Sequence, residues 1–150
     1  MTVIKVSDYM VENPVTVSPL APVLLVARLM KEKQIGSIII ERDMLPVGVI
    51  TERDLVWRVI SDEKDVYTLR SWDICSKPVV TIGENMFIED AVALMRIHKI
   101  RRLVVVNRDG LISGIITSDD ILDNFEAFSK KQAFDFIIMS RSLRGRSHNL

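Results

Sequence analysis

The chain has 150 residues, of which 48% are hydrophobic and 27% carry a charge, and its 20 basic residues balance its 20 acidic residues. This composition excludes a disordered or fibrous protein and indicates one folded domain or two small halves that share a core. The zero net charge does not favour non-specific binding of nucleic acid, because that binding requires an excess of positive charge.

The cysteine content and the apolar runs indicate a cellular compartment. A single cysteine, Cys75, cannot form a disulfide within the chain, and the sequence begins at Met1 without the apolar segment of a signal peptide. The longest apolar runs, such as residues 103–106, are far shorter than the roughly 20 residues that span a bilayer. We therefore expect a cytoplasmic protein without a membrane segment.

The first half of the chain predicts the element order β-α-β-β-α. Residues 14–17 predict a short strand, and residues 22–33 predict a helix that opens with a proline and repeats apolar side chains every three or four residues. Two β-branched runs at residues 37–41 and 47–51 predict strands joined by a tight connection. A second helix is expected directly after Thr51.

The second half repeats this pattern in the same order. Residues 48–54, Gly-Val-Ile-Thr-Glu-Arg-Asp, recur at residues 114–120 as Gly-Ile-Ile-Thr-Ser-Asp-Asp. The hairpin connection of the second copy carries Asp109-Gly110, a dipeptide typical of tight β-turns. A duplication explains this agreement, and two copies are too few for a solenoid.

The repeated motif Gly-apolar-apolar-Thr-x-x-Asp suits the binding of a ribose. A carboxylate such as Asp54 or Asp120 accepts two hydrogen bonds and can hold both hydroxyls of a cis-diol, and the threonine adds a hydroxyl. Gly48 and Gly114 leave room for a close approach of backbone, and the helix that starts after the threonine favours a phosphate. The alternative is structural, because Thr-x-x-Asp also forms a capping box at the start of a helix.

The motif follows a β-hairpin and occurs twice, and in this the chain resembles the cystathionine β-synthase, or CBS, domain family. The resemblance extends over residues 4–128. It implies an α+β fold of two β-α-β-β-α repeats, at residues 4–62 and 68–128, packed with pseudo-two-fold symmetry and followed by a C-terminal helix and basic tail at residues 129–150. It also implies a regulatory module, not an enzyme, whose clefts between the repeats bind AMP, ADP, ATP or S-adenosylmethionine without any required cofactor.

The resemblance implies two ligand sites. The residues that would hold the ribose are Thr51, Asp54, Thr117 and Asp120, and those that would line the base are Val49 and Ile115. Each site would also take residues from the other repeat. The further residues of the Asp120 site would be Lys5, Val6, Ile35, Gly36 and Ser37. The further residues of the Asp54 site would be Arg70, Ser71, Ile100 and Arg101.

The two copies differ where a phosphate would bind. The second copy carries Arg101 and Arg102, whose planar guanidinium groups suit a phosphate, whereas the first copy carries Gly36 and Ser37 at this place and Arg53 further on. We therefore expect the sites to differ in affinity or ligand, with a phosphate bound first at the second copy. The alternative for the two neighbouring arginines is a solvated positive corner.

The C-terminal segment extends beyond the two copies. Residues 130–143 predict a helix with an apolar stripe, followed by basic residues; the stripe is Phe134, Ile137 and Ile138, and the basic residues are Arg141, Arg144 and Arg146. We expect this helix to dock a second copy in a homodimer. The alternative is a basic arm for nucleic acid or a partner protein, which the neutral chain does not favour.

The sequence leaves two functional hypotheses. In the first, an adenosine ligand binds the repeats and changes the state of a regulated protein partner. In the second, the clefts are empty and the tail recruits a protein or RNA. We expect no enzyme and no metal site, because Cys75 and His98 lack an accompanying catalytic motif and, with His148, lack the spacing of metal ligands.

Overall fold

The computed structural model describes residues 3–124 and 130–146. These residues form two compact units, one of residues 14–79 and one that combines residues 3–13 with residues 80–124 and 130–146. Each unit therefore contains the Thr-x-x-Asp motif of one copy and the segment that leads into the other copy. We call residues 4–13 and 68–79 the lead-in segments.

The helices and strands confirm the predicted order in both copies. In chain order they are α1 (Val6–Tyr9), β1 (Val11–Glu12), β2 (Thr16–Val17), α2 (Val23–Lys33), β3 (Ser37–Arg42), β4 (Leu45–Thr51), α3 (Glu52–Leu55), a π-helix (Val56–Ile60), α4 (Ser71–Ile74), β5 (Thr81–Gly83), α5 (Ile88–His98), β6 (Arg102–Val106), β7 (Ile112–Thr117), α6 (Ser118–Asp123) and α7 (Lys130–Arg146). The first copy is β2-α2-β3-β4-α3 and the second is β5-α5-β6-β7-α6, so the fold is α+β.

The unit of residues 14–79 is built on a three-stranded sheet with the order β2-β3-β4. Strand β2 runs parallel to β3, which runs antiparallel to β4. The β-branched side chains of Ile38, Ile40 and Ile50 are fully buried, and α2 packs Val23 and Val26 into the same core. The three-residue spacing of these two valines places them on one face of the helix, as the sequence predicts.

The connection between the last two strands differs between the copies. In the first copy Asp43 and Met44 both have positive φ, of 50° and 64°, and form a two-residue turn. In the second copy the link is a five-residue loop in which the Asn107 Oδ1 accepts hydrogen bonds from the backbone N–H groups of Asp109 and Leu111. The tight turn thus occurs in the copy without the Asp-Gly dipeptide, because the asparagine side chain organises a longer loop in the other.

The second unit contains a four-stranded sheet with the order β1-β7-β6-β5. Strand β1 belongs to the lead-in segment and pairs antiparallel with β7, with Val11 opposite Ile115. Val6 of the same segment is fully buried in a core with Leu103 and Ile116. The first lead-in segment is therefore an integral part of this unit.

Helix α7 confirms the predicted helix, and two residues of its expected apolar stripe are exposed. Phe136 is 2% exposed and packs in the core of the second unit, whereas Phe134 and Ile138 are 63% and 51% exposed. Ile137 is half-buried and Arg141 is exposed. Helix α7 turns Phe136 and Ser140 inward, and the expected stripe does not include either residue. The expected docking of a second copy on the stripe stays a prediction. The side chains of Arg144 and Arg146, and residue His148, lie outside the described residues.

No helix within residues 3–124 or 130–146 is long and apolar enough to cross a membrane.

Candidate functional site

Thr117 and Asp120 form a reciprocal cap where β7 ends and α6 begins. The Asp120 Oδ2 accepts hydrogen bonds from the Thr117 backbone N–H at 2.8 Å and from the Thr117 hydroxyl at 2.9 Å. The Thr117 Oγ1 in turn accepts from the Asp120 N–H at 3.2 Å. The capping interpretation of the motif is therefore confirmed.

The cap occupies one oxygen of Asp120 and fixes the direction of the other. The Oδ1 atom of this half-buried residue has no hydrogen-bond or ion-pair partner among the described residues. A carboxylate oxygen has two lone pairs and can accept two hydrogen bonds. Capping and ligand binding are thus compatible, since they use different oxygens.

Thr51 and Asp54 form the same cap in the first copy, but their surroundings differ. The Asp54 Oδ2 accepts from the Thr51 N–H at 2.9 Å and from its hydroxyl at 3.2 Å. Its Oδ1 forms an ion pair with the Arg58 Nε at 3.6 Å. Asp54 is also buried, at 6% exposure. Both oxygens of Asp54 are therefore engaged within the chain.

The glycine of each motif permits a close approach, as predicted, and the approaching group is a lead-in segment. A Cβ atom on Gly114 would lie 2.8 Å from the Val11 carbonyl oxygen, and one on Gly48 would lie 2.7 Å from the Cys75 Sγ. The expected base-lining residues next to these glycines are half-buried. Ile115 pairs with Val11, and Val49 exchanges two backbone hydrogen bonds with Ser76.

The structure places Lys5 and Val6 in the unit that contains Asp120. Val6 is fully buried among residues that include Ile121 of α6, and Lys5 forms an isolated bridge with Phe87. Complete burial gives Val6 a packing role. Lys5, next to it in the chain, is exposed.

Arg70 and Ser71 lie in the unit that contains Asp54. The Ser71 hydroxyl is fully buried and lies within hydrogen-bond distance of the carbonyl oxygens of Ser18 and Pro19, at 2.7 and 2.9 Å. Its single proton is thus used inside the fold. Arg70 is exposed, and its guanidinium donates to the Leu20 carbonyl oxygen at 3.3 Å.

The residues just before β3 and β6 lie beside the cap of their own copy. The Ser118 N–H donates to the Arg101 carbonyl oxygen at 2.8 Å, and Arg102 pairs with Thr117 across the sheet. In the first copy, Ser37 pairs with Thr51 in the same way. Arg101 and Arg102 therefore lie in the same unit as Asp120.

The other expected site residues near the cap of the first copy have contacts within their own unit. The Gly36 carbonyl oxygen accepts from the Glu52 N–H at 3.1 Å, and Ile35 packs against the core of its unit. Arg53 lies with its guanidinium carbon 5.0 Å from the centre of the Trp57 ring, a cation–π distance. The expectations that residues 35–37 approach Asp120, and that residues 100–101 approach Asp54, join residues of different units and stay predictions.

The thiol of Cys75 has the character of a packing group. Cys75 is buried, and this burial raises the pKa of its thiol above the usual value. A thiol held in its protonated form is a weak nucleophile and a weak metal ligand. Among the described residues, no three His, Cys, Asp or Glu side chains cluster in a way that could hold a metal ion.

Comparison with protein families decides what this duplication is. Residues 6–61 and residues 71–127 each match the model of the CBS domain. The chain belongs to the CBS domain family. The two copies are CBS repeats, and the reciprocal Thr-x-x-Asp caps stand at corresponding positions in both.

The relatives of this CBS pair include short proteins and parts of long enzymes. An uncharacterised protein of Methanopyrus kandleri is 40% identical over 124 residues, which are 81% of this chain and 63% of that protein, so the chain spans less than two thirds of this relative. The CBS domain-containing protein YhcV of Bacillus subtilis is 36% identical over 120 residues, 79% of this chain and 84% of YhcV. The inosine-5'-monophosphate dehydrogenase of Nitrosopumilus maritimus is 30% identical over 116 residues, which are 77% of this chain but only 23% of the enzyme.

Solved structures share the fold of the CBS pair. A CBS domain protein of Pyrobaculum aerophilum, complexed with AMP, is 25% identical and superposes with a TM-score of 0.74 over 90% of this chain and 99% of its own. A CBS domain protein of Thermoplasma acidophilum reaches a TM-score of 0.78 at 21% identity, over 93% of this chain and 78% of its own. The second likeness shows the fold alone.

Sequence reasoning missed Arg58. It lies four residues after Asp54, a spacing that places two side chains on the same face of a helix, and opposite charges at this spacing attract each other. The corresponding position of the second CBS repeat is Asn124, which carries no charge. This difference between the copies is the signal that could have revealed the residue.

Proposed function

We propose that this CBS pair is a regulatory module that binds an adenosine ligand through Thr117 and Asp120. The observation that carries the proposal is the Oδ1 atom of Asp120, which the cap holds in place and which no described residue occupies. A carboxylate oxygen has two lone pairs and can accept a hydrogen bond from each hydroxyl of a cis-diol. Hydrogen bonds to an ionised oxygen are the stronger kind, so this contact favours a ribose over other groups.

Arg101 and Arg102 support a phosphate on the same ligand. The backbone of Arg101 bonds to the first residue of α6, and Arg102 pairs with Thr117, so both lie next to the cap. Guanidinium groups bind phosphate through paired hydrogen bonds. AMP, which the Pyrobaculum aerophilum protein binds, unites the ribose and the phosphate and is the first ligand to test.

The module would act by binding and not by catalysis. A ligand that binds one arrangement of the chain more tightly than another shifts the population toward that arrangement, and a protein partner that recognises this arrangement would respond. The buried, reduced thiol of Cys75 is consistent with a cytoplasmic protein. We propose no nucleic-acid partner.

Thermal unfolding with AMP, ADP, ATP, S-adenosylmethionine and NAD tests this function. A ligand at 100 times its dissociation constant stabilises the folded state by about 2.7 kcal/mol, which raises Tm by roughly 5–10 °C for a chain of this size. The matched control is 2′-deoxy-AMP, which lacks one hydroxyl of the diol and should bind about tenfold more weakly. If none of the five compounds raises Tm, the adenosine function is wrong, and the interaction module with empty clefts takes its place.

We also propose that the chain is a homodimer that pairs through α7. The exposed side chains of Phe134 and Ile138 are four residues apart on one face of this helix. They line a groove shared with Lys99, which follows the last residue of α5, and Asp135 lies in the same groove. Because the groove carries both signs of charge, a second copy related by a two-fold axis can place its acid against the base of the first.

A further inference from the structure

The two ribose carboxylates of the chain have different partners, and this difference rests on one residue. We propose that Arg58 holds the outer oxygen of Asp54 and so closes the ribose contact of the first CBS repeat, which leaves Asp120 as the carboxylate that binds the ligand. The inference rests on the proposed function, because it determines which of the two sites is occupied.

Arg58 is fixed at both ends of its guanidinium group. Its Nε lies 3.6 Å from the Asp54 Oδ1, and one of its terminal nitrogens donates to the carbonyl oxygens of Ile74 and Cys75 at 3.0 and 3.2 Å. These carbonyls belong to the end of α4, where helix carbonyl groups lack partners within the helix. The half-exposed Arg58 therefore forms an ion pair with the carboxylate of the cap and hydrogen-bonds to two carbonyl oxygens of the neighbouring helix at once.

The position of Arg58 competes directly with a ribose. The Asp54 Oδ2 already accepts two hydrogen bonds from Thr51, so a diol could bind only at Oδ1. Arg58 occupies that atom with a charged partner. To reach Asp54, a ligand would have to displace the half-exposed guanidinium from a carboxylate that is almost fully buried, so a ribose gains less there than at Asp120.

The second repeat lacks this arrangement. Asn124, at the position that corresponds to Arg58, donates its side-chain N–H to the backbone oxygen of Asp120 at 2.8 Å and not to the carboxylate. Helix α6 ends there, whereas in the first repeat the helix continues as the π-helix that carries Arg58. An asparagine is also too short and uncharged to replace the guanidinium. The Asp120 Oδ1 consequently stays accessible to a ligand.

Calorimetric titration with AMP measures how many sites are open. For the unmodified chain we expect about one AMP per chain, and for Arg58→Asn, which installs the residue of the second repeat, about two. The additional site should disappear again in the double variant Arg58→Asn with Asp54→Ala. Arg28→Asn, which changes an exposed arginine of α2 in the same unit, is the matched control and should bind like the unmodified chain.

The reciprocal exchange tests the inference in the other repeat and does not depend on the folding of the first variant. Asn124→Arg places a guanidinium four residues after Asp120 and should weaken AMP binding there at least about tenfold. Asn124→Gln, which keeps an uncharged amide, should bind AMP normally. Circular dichroism and thermal unfolding of each variant confirm that the fold is retained.

The outcomes separate this inference from the proposed function. If the unmodified chain binds two AMP molecules, or if it binds one and both Arg58→Asn and Asn124→Arg leave binding unchanged, the role of Arg58 is wrong while the adenosine function stands. If the unmodified chain, Arg58→Asn and the control all bind no adenosine compound, the proposed function itself fails.

Discussion

The carbonyl oxygen of Val11 lies 2.8 Å from the position that a Cβ atom on Gly114 would occupy. Val11 belongs to the first lead-in segment and Gly114 to the motif of the second repeat. The neighbouring backbone leaves no room for a side chain at this position, so a glycine is required. In the other unit the Cys75 Sγ lies 2.7 Å from the corresponding position on Gly48. Neither glycine has a positive φ, so space and not backbone conformation determines the residue type.

Gly114→Ala should therefore destabilise the fold. The new methyl group meets a backbone oxygen that cannot move without breaking the pairing of β1 with β7, and overpacking of this kind costs about 1–3 kcal/mol. We expect Tm to fall by roughly 2–10 °C in thermal unfolding. Gly36→Ala is the control, because its Cβ would meet only the terminal oxygen of the exposed Glu52, which can rotate away. Equal losses for both variants would contradict the explanation.

The buried thiol of Cys75 should react slowly in the folded chain. Burial raises the pKa of this thiol, so less thiolate is present at neutral pH than in the unfolded chain. We expect the reaction with a disulfide reagent at pH 8 to be more than about tenfold slower in the folded chain than in denaturant, because access is restricted as well. Equal rates in the two states would show that the thiol is accessible.

Because of the same thiol, the free energy of unfolding should depend on pH in the alkaline range. Below the thiol pKa of the unfolded chain, both states hold the proton and the contribution is zero. Above it, the unfolded chain releases a proton that the folded chain retains, so the free energy of unfolding falls as pH rises. Denaturant titrations between pH 7 and pH 10 should show this fall in the unmodified chain and a smaller one in Cys75→Ala.

Asp120→Ala should weaken AMP binding at the second repeat strongly, while its effect on stability should be only that of losing a helix cap. Hydrogen bonds to a charged group contribute roughly 1.5–3 kcal/mol each, so affinity should fall at least about tenfold. Asp90→Ala is the matched control, because the Asp90 Oδ2 accepts from the Phe87 N–H at 2.9 Å and so caps α5 through the same backbone hydrogen bond. Both variants should lose about 1 kcal/mol of stability, and only Asp120→Ala should lose AMP, as calorimetry can measure.

The caps and the element order could be predicted because they depend on local sequence. A threonine and an aspartate three residues apart form a reciprocal cap at the start of a helix, and the repeated Gly-apolar-apolar-Thr-x-x-Asp motif marks this place twice. The approach of Val11 to Gly114 could not be predicted in the same way. It joins residues about a hundred positions apart, and neither segment carries a sequence signal that identifies the other as its neighbour.

Two further features depend on which of several possible contacts a side chain makes in the folded chain. Arg58 has the spacing of a helical ion pair, but whether its guanidinium reaches Asp54 depends on the carbonyls of Ile74 and Cys75, which come from a distant helix. In α7, Phe134, Phe136 and Ile138 are all apolar, and the sequence pattern alone did not show that Phe136 is the buried one. The core of the second unit accepts Phe136, and this selection is a property of the packed structure.

Phe136→Ala should strongly destabilise the second unit. A buried phenylalanine replaced by alanine loses about 3–5 kcal/mol through lost burial and the cavity that remains. Phe134→Ala removes the same side chain from the exposed face of the same helix and should change the free energy of unfolding by less than about 0.5 kcal/mol when measured at low protein concentration. The difference between the two variants in denaturant titrations measures how firmly α7 is anchored.

Phe134→Glu tests the homodimer. The substitution places a charge on the exposed apolar face that Phe134 shares with Ile138, so it should weaken pairing through α7 without affecting the buried side of the helix, which Phe136 anchors. We expect light scattering after size exclusion to give the mass of a dimer for the unmodified chain and of a monomer for the variant. Val56→Glu changes another half-exposed apolar residue, on the π-helix of the other unit, and should leave the mass unchanged. A dimer that persists in Phe134→Glu would place the interface elsewhere, because a glutamate buried without a partner at a dimer interface is strongly unfavourable.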